Sequence, residues 1–242
     1  MGTISIPKNY ISDLNLHDTQ IAIKTVKDFF QTRLAQELNL ARVSAPLFVD
    51  PASGLNDNLN GVERPVSFDI AEQNGRIGEV VHSLAKWKRY ALDKYDFEVG
   101  SGLYTDMNAI RRDEVTDNIH SIFVDQWDWE KVIEKSQRNL DTLKETVRQV
   151  YKVLRKTEKY MTIQYDYIHE ILPKDIFFVT TRELEEMFPD NTPKEREYYI
   201  AQAKGAVCIM QIGDKLESGE PHDGRAPDYD DWALNADIVV YY

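Results

Sequence analysis

The chain has 242 residues, 42% hydrophobic and 29% charged, a balance that supports a substantial core and excludes a disordered chain. Its 29 Lys and Arg stand against 41 Asp and Glu, a formal net charge of −12 that argues against a partner such as nucleic acid, whose phosphates need a basic footprint. Met1 to Pro7 shows no basic segment followed by an apolar stretch, and no apolar run is long enough to span a bilayer. The expectation is a cytoplasmic protein with no membrane partner. From His17 to Leu40, Ile23, Val26, Phe30, Leu34 and Leu38 recur at three- and four-residue steps, which predicts a long helix with one apolar stripe. Arg42 to Val49 is β-rich but contains Pro46, which cannot donate to a ladder, so an edge or distorted strand is expected. Pro51 to Gly61 reads as a loop from its Gly and Asn content, and Val66, Phe68 and Ile70 alternate as a strand. Gln73-Asn74-Gly75 predicts a hairpin turn into Ile77 to His82.

A helix from Leu84 to Lys94 is followed by two strands, Gly102 to Ile110 and Ile119 to Trp129, paired around the charged loop Arg111 to Asn118. Glu130 to Gln164 reads as helical, with Leu140, Leu143, Val147, Val150 and Leu154 marking its buried face. Asp175 to Val179 predicts a short strand. Thr180-x-x-Glu183 and Thr192-Pro193-Lys194-Glu195 are capping boxes, the second with proline at the first helical position. Ala206 to Ile212 and Ala236 to Tyr242 are strands around the polar loop Gly213 to Asp231. Strands grouped in hairpins, with helices set apart, predict an α+β fold around a mostly antiparallel β-sheet flanked by helices, in a single domain over residues 1–242.

Three segments concentrate polar chemistry. In Asp125-Gln126-Trp127-Asp128-Trp129-Glu130, strand alternation puts Gln126, Asp128 and Glu130 on one face and Asp125, Trp127 and Trp129 on the other. The carboxylate face is either solvated or the lining of a polar ligand cleft. Arg111, at the end of the partner strand, offers a planar fork for phosphate or carboxylate. In His222 to Trp232, Asp228, Asp230 and Asp231 are hard-cation or ammonium ligands in composition, but the spacing is not that of a calcium loop. Ser83 precedes a cation-rich helix as a cap, and Lys88 lies within that helix. The five histidines are scattered, which disfavours a nucleophilic triad or zinc hydrolysis, and there is no Gly-rich phosphate loop. The single cysteine, Cys208, excludes a disulfide framework, points to a reducing compartment, and reads as a buried inert thiol.

Taken together, Asp57-Asn-Leu-Asn-Gly61, Val80-Val-His-Ser-Leu-Ala-Lys-Trp-Lys-Arg89, Gly102-Leu-Tyr-Thr105, Val124-Asp-Gln-Trp-Asp-Trp-Glu130, Arg225-Ala-Pro-Asp-Tyr-Asp-Asp-Trp232 and Leu234-Asn-Ala-Asp-Ile238 resemble the ammonia-dependent asparagine synthetases. These are aspartate–ammonia ligases related to class II aminoacyl-tRNA synthetases. The resemblance covers essentially the whole chain and implies a class II catalytic core and a homodimer. The first helix and the Pro46 strand are similar to the motif at that family's dimer interface. It also implies ligation in two steps: aspartate and ATP form β-aspartyl-AMP and pyrophosphate, and ammonia then displaces AMP to give asparagine. By the same resemblance, Arg111 grips the α-phosphate and reacting carboxylate, and Lys88 and Ser83 hold the α-carboxylate of aspartate. Asp57, Gln126 and Asp230 surround its amine and the ammonia, with Asp57 as the base and Asp128 in the same polar floor. His120 and Arg225 belong with ATP, and Asp237 with Mg²⁺. The sequence ends at Tyr242, ahead of the later arginine motif that class II enzymes use for adenine, and Val124 stands where relatives carry a stacking ring. The alternatives are an aspartyl- or asparaginyl-tRNA synthetase-like core, and a synthetase-like amino-acid-binding protein without ATP chemistry.

Overall fold

The computed structural model describes residues 4–57, 59, 63–118, 120–226 and 230–242. The expected loop end at Gly61, strand start at Ile119 and ligand Asp228 lie outside the described residues. Two compact units are formed, one from residues 1–18 and 38–133, the other from 19–37 and 134–242.

Helix α1, Leu16–Leu38, has Leu34 and Leu38 fully buried, while Ile21 and Ile23 on its earlier turns are exposed. In the first unit the expected 42–49 strand is divided in two. Strand β1, Leu40–Arg42, runs parallel to β5, Gly102–Ile110; strand β2, Phe48–Val49, runs antiparallel to β4, Arg76–Val80. The break falls around Pro46, which lacks an amide proton, and the chain leaves one sheet there and joins another. Its flanks are tied by Val43 N–H to the Tyr104 carbonyl (2.9 Å) and Val81 N–H to the Leu47 carbonyl (3.1 Å).

The hairpin around Asn74 is as the sequence predicts. Strand β3, Ser67–Ile70, pairs antiparallel with β4, and Asn74 and Gly75 both take positive φ, at 56° and 76°. Strand β6, Phe123–Lys131, completes a β1-β5-β6 sheet by antiparallel pairing with β5, with Thr105 opposite Asp128 and Met107 opposite Gln126. Gly102 begins β5 where backbone crowds it. A Cβ there would lie 2.1 Å from the Glu130 carbonyl oxygen and 2.7 Å from Lys131 Cα. Helix α2, Ala85–Lys94, covers this sheet and buries Trp87 and Ala91 with Val81, Leu84, Leu103 and Met107.

In the second unit the long helix begins later than its sequence predicts. Residues to Lys131 remain in β6, and Asn139 caps α3, Leu140–Gln164, by accepting the Thr142 N–H (2.9 Å). Its buried positions are Val147, Tyr151, Val153, Thr157 and Met161, and Leu143 and Leu154 of the expected face pack half-buried against the same cluster as Val147 and Tyr151. The Thr157 hydroxyl is satisfied by donating to the Val153 carbonyl at 2.9 Å. The α1 segment of this unit packs beside α3: Phe29 and Tyr160 stack at 4.2 Å, and Lys152 bonds to Glu37 at 2.7 Å. Strands β7, Phe177–Thr180, β8, Ala206–Met210, and β9, Ala236–Val240, form a sheet with β7 parallel and β9 antiparallel to the fully buried β8. Both capping boxes are present, opening α4, Thr181–Met187, and α5, Pro193–Lys204. Among the described residues no helix is long and apolar enough to cross a membrane.

Candidate functional site

The first unit gathers four of the expected residues around the N-terminal turns of α2. A helix start leaves backbone N–H groups without intrahelical partners and carries partial positive charge, so a carboxylate is stabilised there. Asp57 takes that place from a neighbouring loop. Its side chain is fully buried, and Oδ2 accepts the Ala85 N–H at 2.9 Å. Ser83 is not the N-cap, a position held by Leu84, but its Oγ accepts the same Ala85 N–H at 3.2 Å and so shares it with an aspartate distant in sequence.

Asp57 Oδ1 is buried with no hydrogen-bond partner among the described residues. A buried carboxylate oxygen without a donor is costly, and a water, an ion or a ligand is what can supply one. The loop is clamped to the helix start by Asn56, whose Oδ1 accepts the His82 N–H at 3.0 Å, and by His82 Nδ1, 3.2 Å from the Asp57 carbonyl oxygen. That contact requires the proton on Nδ1, and Nε2 is buried without a partner among the described residues. Asn56 and His82 were not singled out by the sequence reading, because nothing in their spacing announces contact with residue 57. The sole signal was a position beside a site residue.

One turn into α2, Lys88 has its side chain only 4% exposed. An ammonium this deep must be paired. It donates to Asp128 Oδ1 at 2.6 Å and to the Trp129 carbonyl at 3.1 Å, and Glu130 Oε1 lies 3.6 Å away. The two bonds account for two of the three ammonium protons. Asp128 Oδ1 also accepts the Trp129 N–H at 3.0 Å. Burial pushes the Glu130 carboxyl upward, reinforced by the charge of Asp128 and opposed by Lys88 and Arg89. The alternation expected along β6 is thus realised: Asp128 and Glu130 turn toward α2, and Trp127 packs its ring against Tyr104 at 4.9 Å. This carboxylate face is neither simply solvated nor an open cleft, since Lys88 occupies part of it. Gln126, next along the same face, is exposed.

Arg111 and His120 flank the β5–β6 loop. Arg111 continues the ladder through its N–H to the Ile122 carbonyl (2.8 Å), and its Nε is buried without a partner among the described residues. His120 is exposed and held by Asp117, whose Oδ1 accepts the His120 N–H at 2.8 Å and lies 2.9 Å from Nδ1. Asp113 of the same loop is gripped by Arg64, which precedes β3, through Nε at 3.1 Å and through a second guanidinium nitrogen.

The second unit holds Arg225, Asp230 and Asp237. Arg225 pairs with Asp237 on β9, and its Nε is buried without a partner among the described residues. Asp230 is half-buried, and the neighbouring Asp231 pairs with Arg138. Asp237, the residue the resemblance links to Mg²⁺, therefore already has a cation. Among the described residues no group of three or more His, Cys, Asp or Glu could hold a metal ion. These side chains do not fit a metal held by the protein alone.

The family model for aspartate–ammonia ligase matches residues 17–242. The aspartate–ammonia ligase of Ruminiclostridium cellulolyticum is 60% identical over all 242 residues, which cover 72% of that protein, and the Clostridium perfringens enzyme of the same name gives the same figures. Among solved structures, the asparaginyl-tRNA synthetase of Pyrococcus horikoshii, complexed with asparaginyl-adenylate, aligns with a TM-score of 0.58 at 11% identity, over 92% of this chain and 51% of that one. The Entamoeba histolytica asparaginyl-tRNA synthetase aligns with a TM-score of 0.55 at 9% identity, over 96% of this chain and 54% of that one. The α+β fold is that of class II aminoacyl-tRNA synthetases, and this chain belongs to the aspartate–ammonia ligase family.

Proposed function

We propose that this enzyme joins ammonia to the side-chain carboxylate of aspartate through a β-aspartyl-adenylate, releasing AMP and pyrophosphate and acting in the cytoplasm. The observation that carries this reading is the orphaned Oδ1 of the fully buried Asp57 beside the paired Lys88 at the start of α2. Its support is the family of the chain and a fold whose solved neighbours include one complexed with asparaginyl-adenylate.

In the first step an aspartate side-chain oxygen attacks the α-phosphorus of ATP and pyrophosphate leaves. Arg111 stabilises the charge that builds on phosphate and carboxylate, a task for which an uncommitted guanidinium edge is suited. Ser83 and Lys88 hold the α-carboxylate of aspartate, the Lys88 ammonium using the proton not spent on Asp128 and Trp129. Gln126 and Asp128 complete the polar floor, and Asp230 takes part in holding the amine. In the second step Asp57 Oδ1 accepts a proton from ammonium, and ammonia attacks the acyl carbon while AMP departs. His120 and Arg225 attend the phosphates. Mg²⁺ enters with ATP rather than at a site the described side chains build. Two copies of the chain form the working enzyme.

The test supplies aspartate, ATP, Mg²⁺ and ammonium to the full chain and separates nucleotides and amino acids by chromatography. Asparagine and AMP in equal amounts, without tRNA, are the expected products; ADP in place of AMP, or no asparagine, overturns the proposal. Asp57→Asn should lower kcat/KM for ammonium by about 10²–10³-fold, the range of a lost general base, with a smaller effect on adenylate formation measured by pyrophosphate exchange. Arg111→Ala should instead reduce exchange itself, by about 10²–10³-fold.

A further inference from the structure

Helix α3 carries Arg148, Lys152, Arg155, Lys156 and Lys159 at steps of four, three, one and three, so they share one side of the helix. The segment that reaches Lys174, Asp175 and Ile176 returns alongside and closes a hollow of about 490 Å³ over this stripe. Six of the chain's 29 Lys and Arg line it, against two carboxylates, in a protein whose overall charge is −12. That inversion of sign within one concavity is a local field for an anion.

The protein itself neutralises these cations only in part: Arg148 lies 3.8 Å from Glu145. Glu37 serves both Lys152 at 2.7 Å and Lys156 at 3.8 Å, so one carboxylate is shared by two ammoniums. Arg155 donates to the Lys174 carbonyl at 3.2 Å, and its Nε is buried without a partner among the described residues. Lys159 and Lys174 have no ion pair among the described residues. Three pairs in the stripe are like charges four residues apart, an arrangement that destabilises a helix. Tyr151, with its hydroxyl committed to the Pro173 carbonyl at 2.7 Å, and Ile176 supply an apolar floor.

We propose that this hollow is a binding site for a small oligophosphate anion, a chain of two or three phosphates either free or carried by a nucleotide. The size is that of a small-molecule site. Clustered ammonium groups beside guanidinium forks are the side chains that recognise contiguous phosphates. The site is separate from the ligation chemistry proposed above and does not depend on it.

The experiment is calorimetric titration of the full chain with inorganic tripolyphosphate and with guanosine triphosphate, at low and moderate salt. The expected result is one site per chain, weakened by salt as exposed charges are screened. It is weakened about tenfold or more by the double substitution Lys159→Ala/Lys174→Ala and unchanged by Lys135→Ala. Tighter binding of guanosine triphosphate makes a nucleotide the source; equal affinities make it the phosphate chain alone, and both results support the site. Binding that survives the double substitution but is lost in Arg111→Ala belongs to the proposed catalytic machinery and overturns it. Absence of tripolyphosphate binding overturns it too, as does a single-stranded RNA oligonucleotide binding where tripolyphosphate does not. Lys159 and Lys174 are both exposed, so their replacement leaves the fold intact, which circular dichroism of the same samples checks.

Discussion

Asp113 shows how a single side chain writes a pH dependence into the fold. Bonds from Arg64 hold its carboxyl down to about 2, from an ordinary value of 3.8. A depressed carboxylate contributes stability above its unfolded value and loses it as pH falls through the folded one. Asp113→Asn should therefore lower stability at neutral pH and flatten the loss between pH 3.8 and about 2, read from denaturation midpoints across that window. Cys208 lies at the opposite extreme. Burial within β8, with the charge of Asp237 adding to it, pushes its thiol up to about 12, so thiolate is scarce at neutral pH. A thiol reagent should leave the folded protein unlabelled and label one site per chain in denaturant. The inertness of this thiol was readable from its apolar neighbours. The link from Asp57 to Ala85, 28 positions away in sequence, was not, because it depends on where a loop is laid across a helix start.

Among the elements, local rules succeeded wherever the cause was local. The Asn74-Gly75 turn and the two capping boxes are made by residues within four positions of each other, and the structure forms all three. Thr192→Ala removes one such cap and should cost about 0.5–2 kcal/mol, measured by urea denaturation. Where two outcomes shared one pattern, pairing decided. Residues 130 and 131 suit a helix as well as a strand, and it is the partners Leu103 and Gly102 across the ladder that hold them in β6. Gly102 is the price of that pairing, since a Cβ there meets backbone rather than a yielding side chain. Gly102→Ala should destabilise by about 1–3 kcal/mol or more, as overpacking does, and loosen the β5–β6 edge. Amide exchange at Val132, whose N–H bonds to the Ser101 carbonyl, would report it.

At the scale of the molecule, the two units have separate cores. Cluster Val49 to Ala109 serves the first, while β8 lies at the centre of the second, between Val179, Leu184 and Ile200 on one side and Val147, Tyr151 and Ile176 on the other. Helix α1 leaves Leu16, Ile21 and Ile23 exposed on its first turns, apolar surface of the kind a second copy would cover in the proposed dimer. Sedimentation should give twice 28.1 kDa, and Ile21→Ser with Ile23→Ser should shift the balance toward the single chain. A protein that sediments at 28.1 kDa at every concentration would end the dimer proposal.

Composition and spacing were enough to predict an α+β fold, and the resemblance of long words in the sequence identified the class II fold and the aspartate–ammonia ligase family; the site residues it implies are taken up in the proposed mechanism. All of these are carried by residue identity in chain order. Only the tertiary structure decided that Asp57 is buried with one oxygen unanswered, that Lys88 is held by Asp128, and that Asp237 is paired with Arg225. It alone brought six cations to one hollow of an acidic chain. Burial and charge pairing depend on which distant segments share space, and hydrophobic periodicity along the chain does not encode those distances.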